Sequence, residues 1–134
     1  MVTETVVKEA LSKDMIDAGE RLTRLLDDNN FSASASFWFF NVESGAWRYM
    51  IASPEVDSKG VKNAYKKVQK IITKYSNGNG TIHLKDVTLI SPMDPLITLL
   101  KLAVRTGNGI SGIRFSKNLI NGVLIEDAYI YRLT

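Results

Sequence analysis

The 134-residue sequence contains no cysteine, a single histidine and three prolines. Without cysteine there is no disulfide, no thiolate nucleophile and no Cys-ligated zinc, which points to a reducing compartment such as the cytoplasm. The lone His83 excludes a multi-histidine metal centre, and any Ser-His-Asp arrangement would have to be built on it. No cofactor and no metal site are expected. Long apolar runs are also missing: none approaches the ~20 residues of a membrane helix, and no basic-then-apolar leader opens the chain, so no membrane association is expected. Charge is close to balanced, with 17 Lys+Arg against 14 Asp+Glu, and the resulting +3 is too mild to imply a polyanion partner by itself. The G-x-S-x-G, phosphate-loop lysine, H-E-x-x-H and calcium-loop patterns are all absent, so no catalytic constellation is visible.

What is present is ordinary globular usage, 45% apolar and 23% charged, with neither internal repeat nor linker, which fits one domain spanning residues 1–134. Val7, Leu11, Met15, Ala18, Leu22 and Leu25 step by threes and fours and predict an amphipathic helix over residues 5–28. Thr3 would cap it, Gly19 is a mild internal weakness, and Asn29-Asn30 can close it in the left-handed region. Residues 31–42 change to strand chemistry, and because Phe37-Trp38-Phe39-Phe40 is apolar on both faces the strand should be central. Glu43-Ser44-Gly45 turns the chain into a second strand over residues 46–52.

Ser53-Pro54-Glu55 has the order of an N-cap, a first-turn proline and an early acid, with Asp57-Ser58 as the alternative cap if the first turn is separate. The helix that follows has Val61, Ala64, Tyr65, Val68, Ile71, Ile72 and Tyr75 as its inner stripe, and residues 76–80 terminate it. Residues 82–84 and 86–91 read as short strands, or as one strand broken at Lys85. Asp94-Pro95 opens a third helix that buries Leu96, Leu99, Leu100, Ala103 and Val104, with Gly107 as its terminator. Residues 110–133 hold two strands, with Lys117-Asn118 and Asn121-Gly122 both able to form the turn. The order α-β-β-α-β-α-β-β describes an α+β domain of three helices and five or six mostly antiparallel strands. Its core is expected to contain Phe37, Phe39, Phe40, Ile51, Val68, Ile72, Leu99, Leu100, Ile113 and Ile125.

Four groups of residues bear on function. Trp38, Trp47, Tyr49, Tyr129 and Tyr131 lie on neighbouring strands. Cross-strand packing is the default for such a set, and the alternative is an exposed aromatic patch for a partner or ligand; for function, a module that docks on a protein partner or self-associates into a homo-oligomer is the leading expectation. Ser32, Ser34 and Ser36 are small enough to admit a helix, a subunit or a ligand. Lys59, Lys62, Lys66, Lys70 and Lys74 form an outward row on the helix over residues 59–74 that either follows the phosphates of a nucleic acid or is a solvated face. Residues 107–112 spell G-x-G-x-x-G but lie between a helix end and a strand start, the reverse of a dinucleotide site. What remains there is a backbone nest around Gly109 flanked by Arg105 and Arg114. Glu126 and Asp127 interrupt an apolar strand, so a buried carboxylate must find a cation among Arg48, Arg114 and Arg132 or shift its pKa. Convergence of the loop, Arg114 and these acids would make an anion-binding or acid-base pocket.

Overall fold

The structure, a computed structural model, describes residues 9–75 and 82–134. Among them the chain forms α1 (Lys13–Asp28), β1 (Ala35–Asn41), β2 (Ala46–Ala52), α2 (Pro54–Lys59), α3 (Val61–Tyr75), β3 (Val87–Ile90), α4 (Pro95–Lys101), β4 (Ile113–Ile120) and β5 (Val123–Leu133). One sheet runs in the order β3-β2-β1-β5-β4, with the doubly apolar β1 at its centre. Three pairings are antiparallel, while β3 lies parallel to β2. The parallel pair follows from the long α2–α3 connection, because only a crossover of a dozen or more residues can return the chain in the same direction.

Helices cover both faces. On one, α1 and α3 set Leu22, Leu26, Val68 and Ile72 against Trp38, Tyr49 and Tyr131. On the other, Ile97 and Leu100 of α4 pack on Phe37, Met50, Ile130 and Leu133. Of the expected core, Phe37, Phe40, Ile51, Val68, Ile72, Leu100 and Ile125 are buried. Phe39, Leu99 and Ile113 are partly buried against the α4-side cluster.

Several boundaries differ from the sequence expectation. The Thr3 cap and residues 5–8 lie outside the described residues. Helix α1 starts after Ser12, whose hydroxyl accepts the Met15 N–H at 3.1 Å. Residues 9–12 are not helical, and the Glu9 carbonyl there accepts the Trp47 indole N–H. Gly60, at φ +85°, separates α2 from α3, and Ser53 caps α2 as its position before Pro54 predicted. The loop over residues 76–80 lies outside the described residues.

Residues 84–86 form a 3₁₀ turn instead of strand, with exposed His83 before it. Helix α4 ends at Lys101, with Ala103 exposed and Gly107 well beyond its end. The N–H groups of Leu102, Ala103 and Val104 bond back to Leu99 and Leu100, and the chain then turns so that Thr106 donates to the Leu133 carbonyl. Asn121-Gly122, at φ 49° and 77°, is the turn of the last hairpin. Those two positive φ values are what a tight two-residue hairpin requires. Lys117, at φ 49°, sits inside β4.

Candidate functional site

The aromatic set does not form a partner surface. Trp38, Trp47, Tyr49 and Tyr131 are buried and only Tyr129 is partly exposed. Their polar tips explain why. Each donates to a backbone carbonyl on α1 or just before it: Trp47 Nε1 to Glu9 (2.6 Å), Trp38 Nε1 to Met15 (2.9 Å), Tyr131 Oη to Ile16 (2.6 Å) and Tyr49 Oη to Gly19 (2.9 Å). An aromatic ring with one polar end buries well only when that end finds a partner. Here α1 supplies the partners in order along its length.

Around Tyr49 the polar contacts close into a buried knot. Thr23 Oγ1 lies 2.6 Å from Tyr49 Oη, 2.8 Å from the Gly19 carbonyl oxygen and 3.1 Å from Ser36 Oγ, sharing its single proton within this group. Burial pushes the Tyr49 and Tyr131 hydroxyls well above the ordinary phenol pKa, so both stay neutral donors. Ser36 thus admits helix α1, while Ser34 and Ser32 serve neighbouring backbone and carboxylate contacts.

The pocket expected near residues 107–112 is not assembled. The Gly109 carbonyl accepts from Arg132 Nε at 3.3 Å, which ties the loop to the end of β5. Ser111 donates to the Tyr131 carbonyl, so the loop runs along the last residues of β5. Exposed Arg105 reaches back to the end of α4, with Nε 3.4 Å from the Lys101 carbonyl. Arg114 and Asp127 do meet, through Nε–Oδ1 at 2.7 Å and Nη2–Oδ2 at 2.6 Å, and Ser116 Oγ donates to the same carboxylate at 2.7 Å. Asp127 is 1% exposed and Arg114 stacks 5.9 Å above the Trp47 ring. The hydrogen bond to Asp127 raises the Arg114 pKa against a smaller opposing effect of burial, so the guanidinium stays charged. The bidentate contact makes Asp127 a structural anion, and Glu126 is half-buried at the preceding position.

Two further charge clusters were not legible in the sequence. Arg132, buried at the end of β5, makes a bidentate pair with Asp27 at 2.8 and 2.7 Å and also donates to the Ala33 carbonyl at 3.1 Å. With Ser32 and Asn108 these residues line an open depression of about 250 Å³. Across the same 29–34 loop, Glu55 is buried and accepts from Ser32 N–H (2.9 Å), Lys59 Nζ (3.1 Å) and Lys67 Nζ (3.1 Å). Burial alone would raise the Glu55 pKa, but the three donors outweigh it and hold the carboxyl below its ordinary value.

Of the lysine row, Lys59 belongs to α2 and is tied to Glu55, so it leaves the row. Lys62, Lys66, Lys70 and Lys74 remain exposed on α3, and among the described residues Lys62, Lys66 and Lys70 meet no carboxylate. A small apolar crevice of about 20 Å³ between α1 and α3, lined by Leu22, Leu25, Ile72 and Ile82, has room for about one water. Among the described residues no group of three or more acids, histidines or cysteines is placed to hold a metal ion, and no helix is long and apolar enough to cross a membrane.

The architecture defines the class: an α+β protein built on one mixed five-stranded sheet with helices on both faces. No protein-family model, curated protein or solved structure matches the chain.

Proposed function

We propose that the protein is a cytoplasmic interaction module that pairs with a second copy of itself through the tip of the β4–β5 hairpin. The observation that carries this reading is a cluster of aliphatic side chains at that tip. Leu119 is 72% exposed, and its cross-strand neighbour Leu124, on the same face, is 52% exposed; Val123, 48% exposed, alternates to the other face opposite Ile120. A contiguous exposed apolar cluster costs solubility and marks a surface that another chain covers. Strand β4 is also the last of its sheet, so its outer backbone groups are open to a further strand. Lys117, in the left-handed region, interrupts that edge and confines regular pairing to the apolar half. The absence of cysteine supports the reducing location.

Sedimentation velocity across a concentration series tests this. The chain is expected to show a reversible dimer burying at least about 1,000 Å². The Leu119→Gln/Leu124→Gln variant should sediment as a monomer with an unchanged melting temperature. A chain that stays monomeric at about 1 mM, the weak end of measurable association, would refute the reading.

A further inference from the structure

The geometry points to a second surface, independent of hairpin pairing: the outer face of α3 binds the phosphate backbone of duplex nucleic acid without reading its sequence. The argument begins with charge placement. Helix α3 carries Lys62, Lys66, Lys67, Lys70 and Lys74 and no acid, a charge of +5 against +3 for the whole chain, which leaves all other residues together at −2. The positive character of this protein is therefore one helix.

Several acids of the adjoining α1 are already engaged by other bases: Asp17 by Lys13 and Glu20 by Arg24, each at 3.0 Å, and Asp27 by Arg132 at 2.7 Å. On α3 only Lys67 is drawn inward, to Glu55 and the Asn30 carbonyl. The other four recur every fourth residue, about 6 Å of axial rise per step and about 18 Å in all, turning slowly around the helix. A mutually repelling row of this kind gains most from an extended line of negative charge, and displacing its counterions supplies the binding free energy.

The type of polyanion follows from what stands between the lysines. Asn63, Gln69 and Thr73 are exposed there, and they add neutral donors and acceptors suited to phosphate and sugar oxygens. No aromatic side chain interrupts the row to stack on an unpaired base: Tyr65 is held by the Leu89 N–H at 2.9 Å, and Tyr75 stands at the helix end beneath Lys74. Single-strand binders rely on such stacking platforms, so duplex is favoured. A membrane-surface helix needs an apolar face free to insert, whereas Ala64, Val68, Ile71 and Ile72 of α3 are spent on the core.

Fluorescence anisotropy with a labelled 20-base-pair duplex measures the interaction. At about 50 mM salt the Kd should be micromolar, and four phosphate contacts predict a log–log salt slope near −3.6, a loss of about 150-fold by about 200 mM. The Lys62→Gln/Lys66→Gln/Lys70→Gln variant should bind at least about tenfold more weakly at about 50 mM with a slope near −1, and its circular dichroism melt should match the parent. The control Lys13→Gln/Lys85→Gln/Lys101→Gln has the same net charge and should keep the steep slope. The proposal is overturned by no binding at about 50 mM, by equal losses in the two variants, or by tighter binding of a single strand than of duplex. Binding only to polyglutamate, or only to vesicles of three parts phosphatidylcholine to one part phosphatidylserine, overturns it equally.

Discussion

Replacing Gly19 by alanine should destabilise this protein, although the same change in an exposed helix is stabilising by about 1 kcal/mol. A Cβ at position 19 would overlap the hydroxyl of Tyr131 and lie 2.6 Å from its Cε2 and Cζ atoms. That ring cannot easily withdraw, because its hydroxyl is bonded to the Ile16 carbonyl at 2.6 Å and its faces meet Tyr49 and Tyr129. Overpacking in such a site costs about 1–3 kcal/mol beyond the helix-propensity gain it must also cancel. For a chain of this length the expected fall in melting temperature is about 3–4 °C per kcal/mol, or roughly 4–10 °C. Scanning calorimetry on the Gly19→Ala variant gives the sign directly. In a Tyr131→Leu background the same substitution should become neutral or stabilising, a coupling of at least about 1 kcal/mol between the two positions. A raised melting temperature for Gly19→Ala alone, or an equal effect in both backgrounds, would refute the close-approach argument.

The remaining predictions concern buried charge. The Glu55 carboxyl is held below its ordinary pKa of 4.5, so its stabilisation is present above that pH and is lost as pH falls through the lowered folded value. Glu55→Gln should therefore cost about 1–3 kcal/mol at pH 7 and progressively less as the pH falls below 4.5, compared by thermal melts; a gap that does not shrink with falling pH would contradict this. At the Arg114–Asp127 pair burial is asymmetric, with Arg114's side chain 45% exposed and Asp127's 2%. Arg114→Met strands a buried carboxylate and should cost more than Asp127→Asn, which leaves an arginine that water can reach, by about 1 kcal/mol or more in urea denaturation. The reverse order would show that Asp127 is not the residue that depends on the pair.

The parts of the fold that were legible are those written in short local patterns. Residues 46–52 form the expected strand because alternation and a Gly45 turn at φ +66° act within a few residues of each other. Ser53-Pro54 and Asp94-Pro95 both cap helices for the same local reason. The central place of β1 followed from side chains that need cover on both faces. What failed depends on distant partners. Strict alternation separates Tyr131 from Arg132, yet both reach α1, because the β1–β5 register shifts between Ser36 and Phe37 and leaves Tyr131 as an extra residue. A bulge of this kind re-aims side chains and has no signature in period two. Arg132 accordingly finds Asp27, 105 residues away, and only Arg114 of the three strand arginines takes Asp127. The aromatic set was visible as a set, but whether a strand's outer face meets water or a helix is decided by where α1 docks.

The distribution of polar groups separates what holds the molecule together from what it offers to other molecules. Glu55, Asp127, Arg132, Ser36, Thr23 and Tyr49 are each engaged inside the fold, and no buried side-chain nitrogen or oxygen lacks a partner among the described residues. A buried group that already has its hydrogen bonds gains little by turning to a ligand, since it must first break them. The groups left with energy to gain are on the surface, and two chemically distinct sets stand out among them. The aliphatic tip at Leu119 and Leu124 gains by losing water, whereas the lysines of α3 gain by releasing counterions. The order β3-β2-β1-β5-β4 keeps the sets apart, because α3 contacts β3 and the tip belongs to β4 and β5 at the other end. Four strand spacings of about 4.8 Å put nearly 20 Å between the two edges, beyond the range at which substitutions usually couple. Neutral changes at the tip should thus leave the salt slope of the lysine row untouched, so each surface stands or falls on its own measurement.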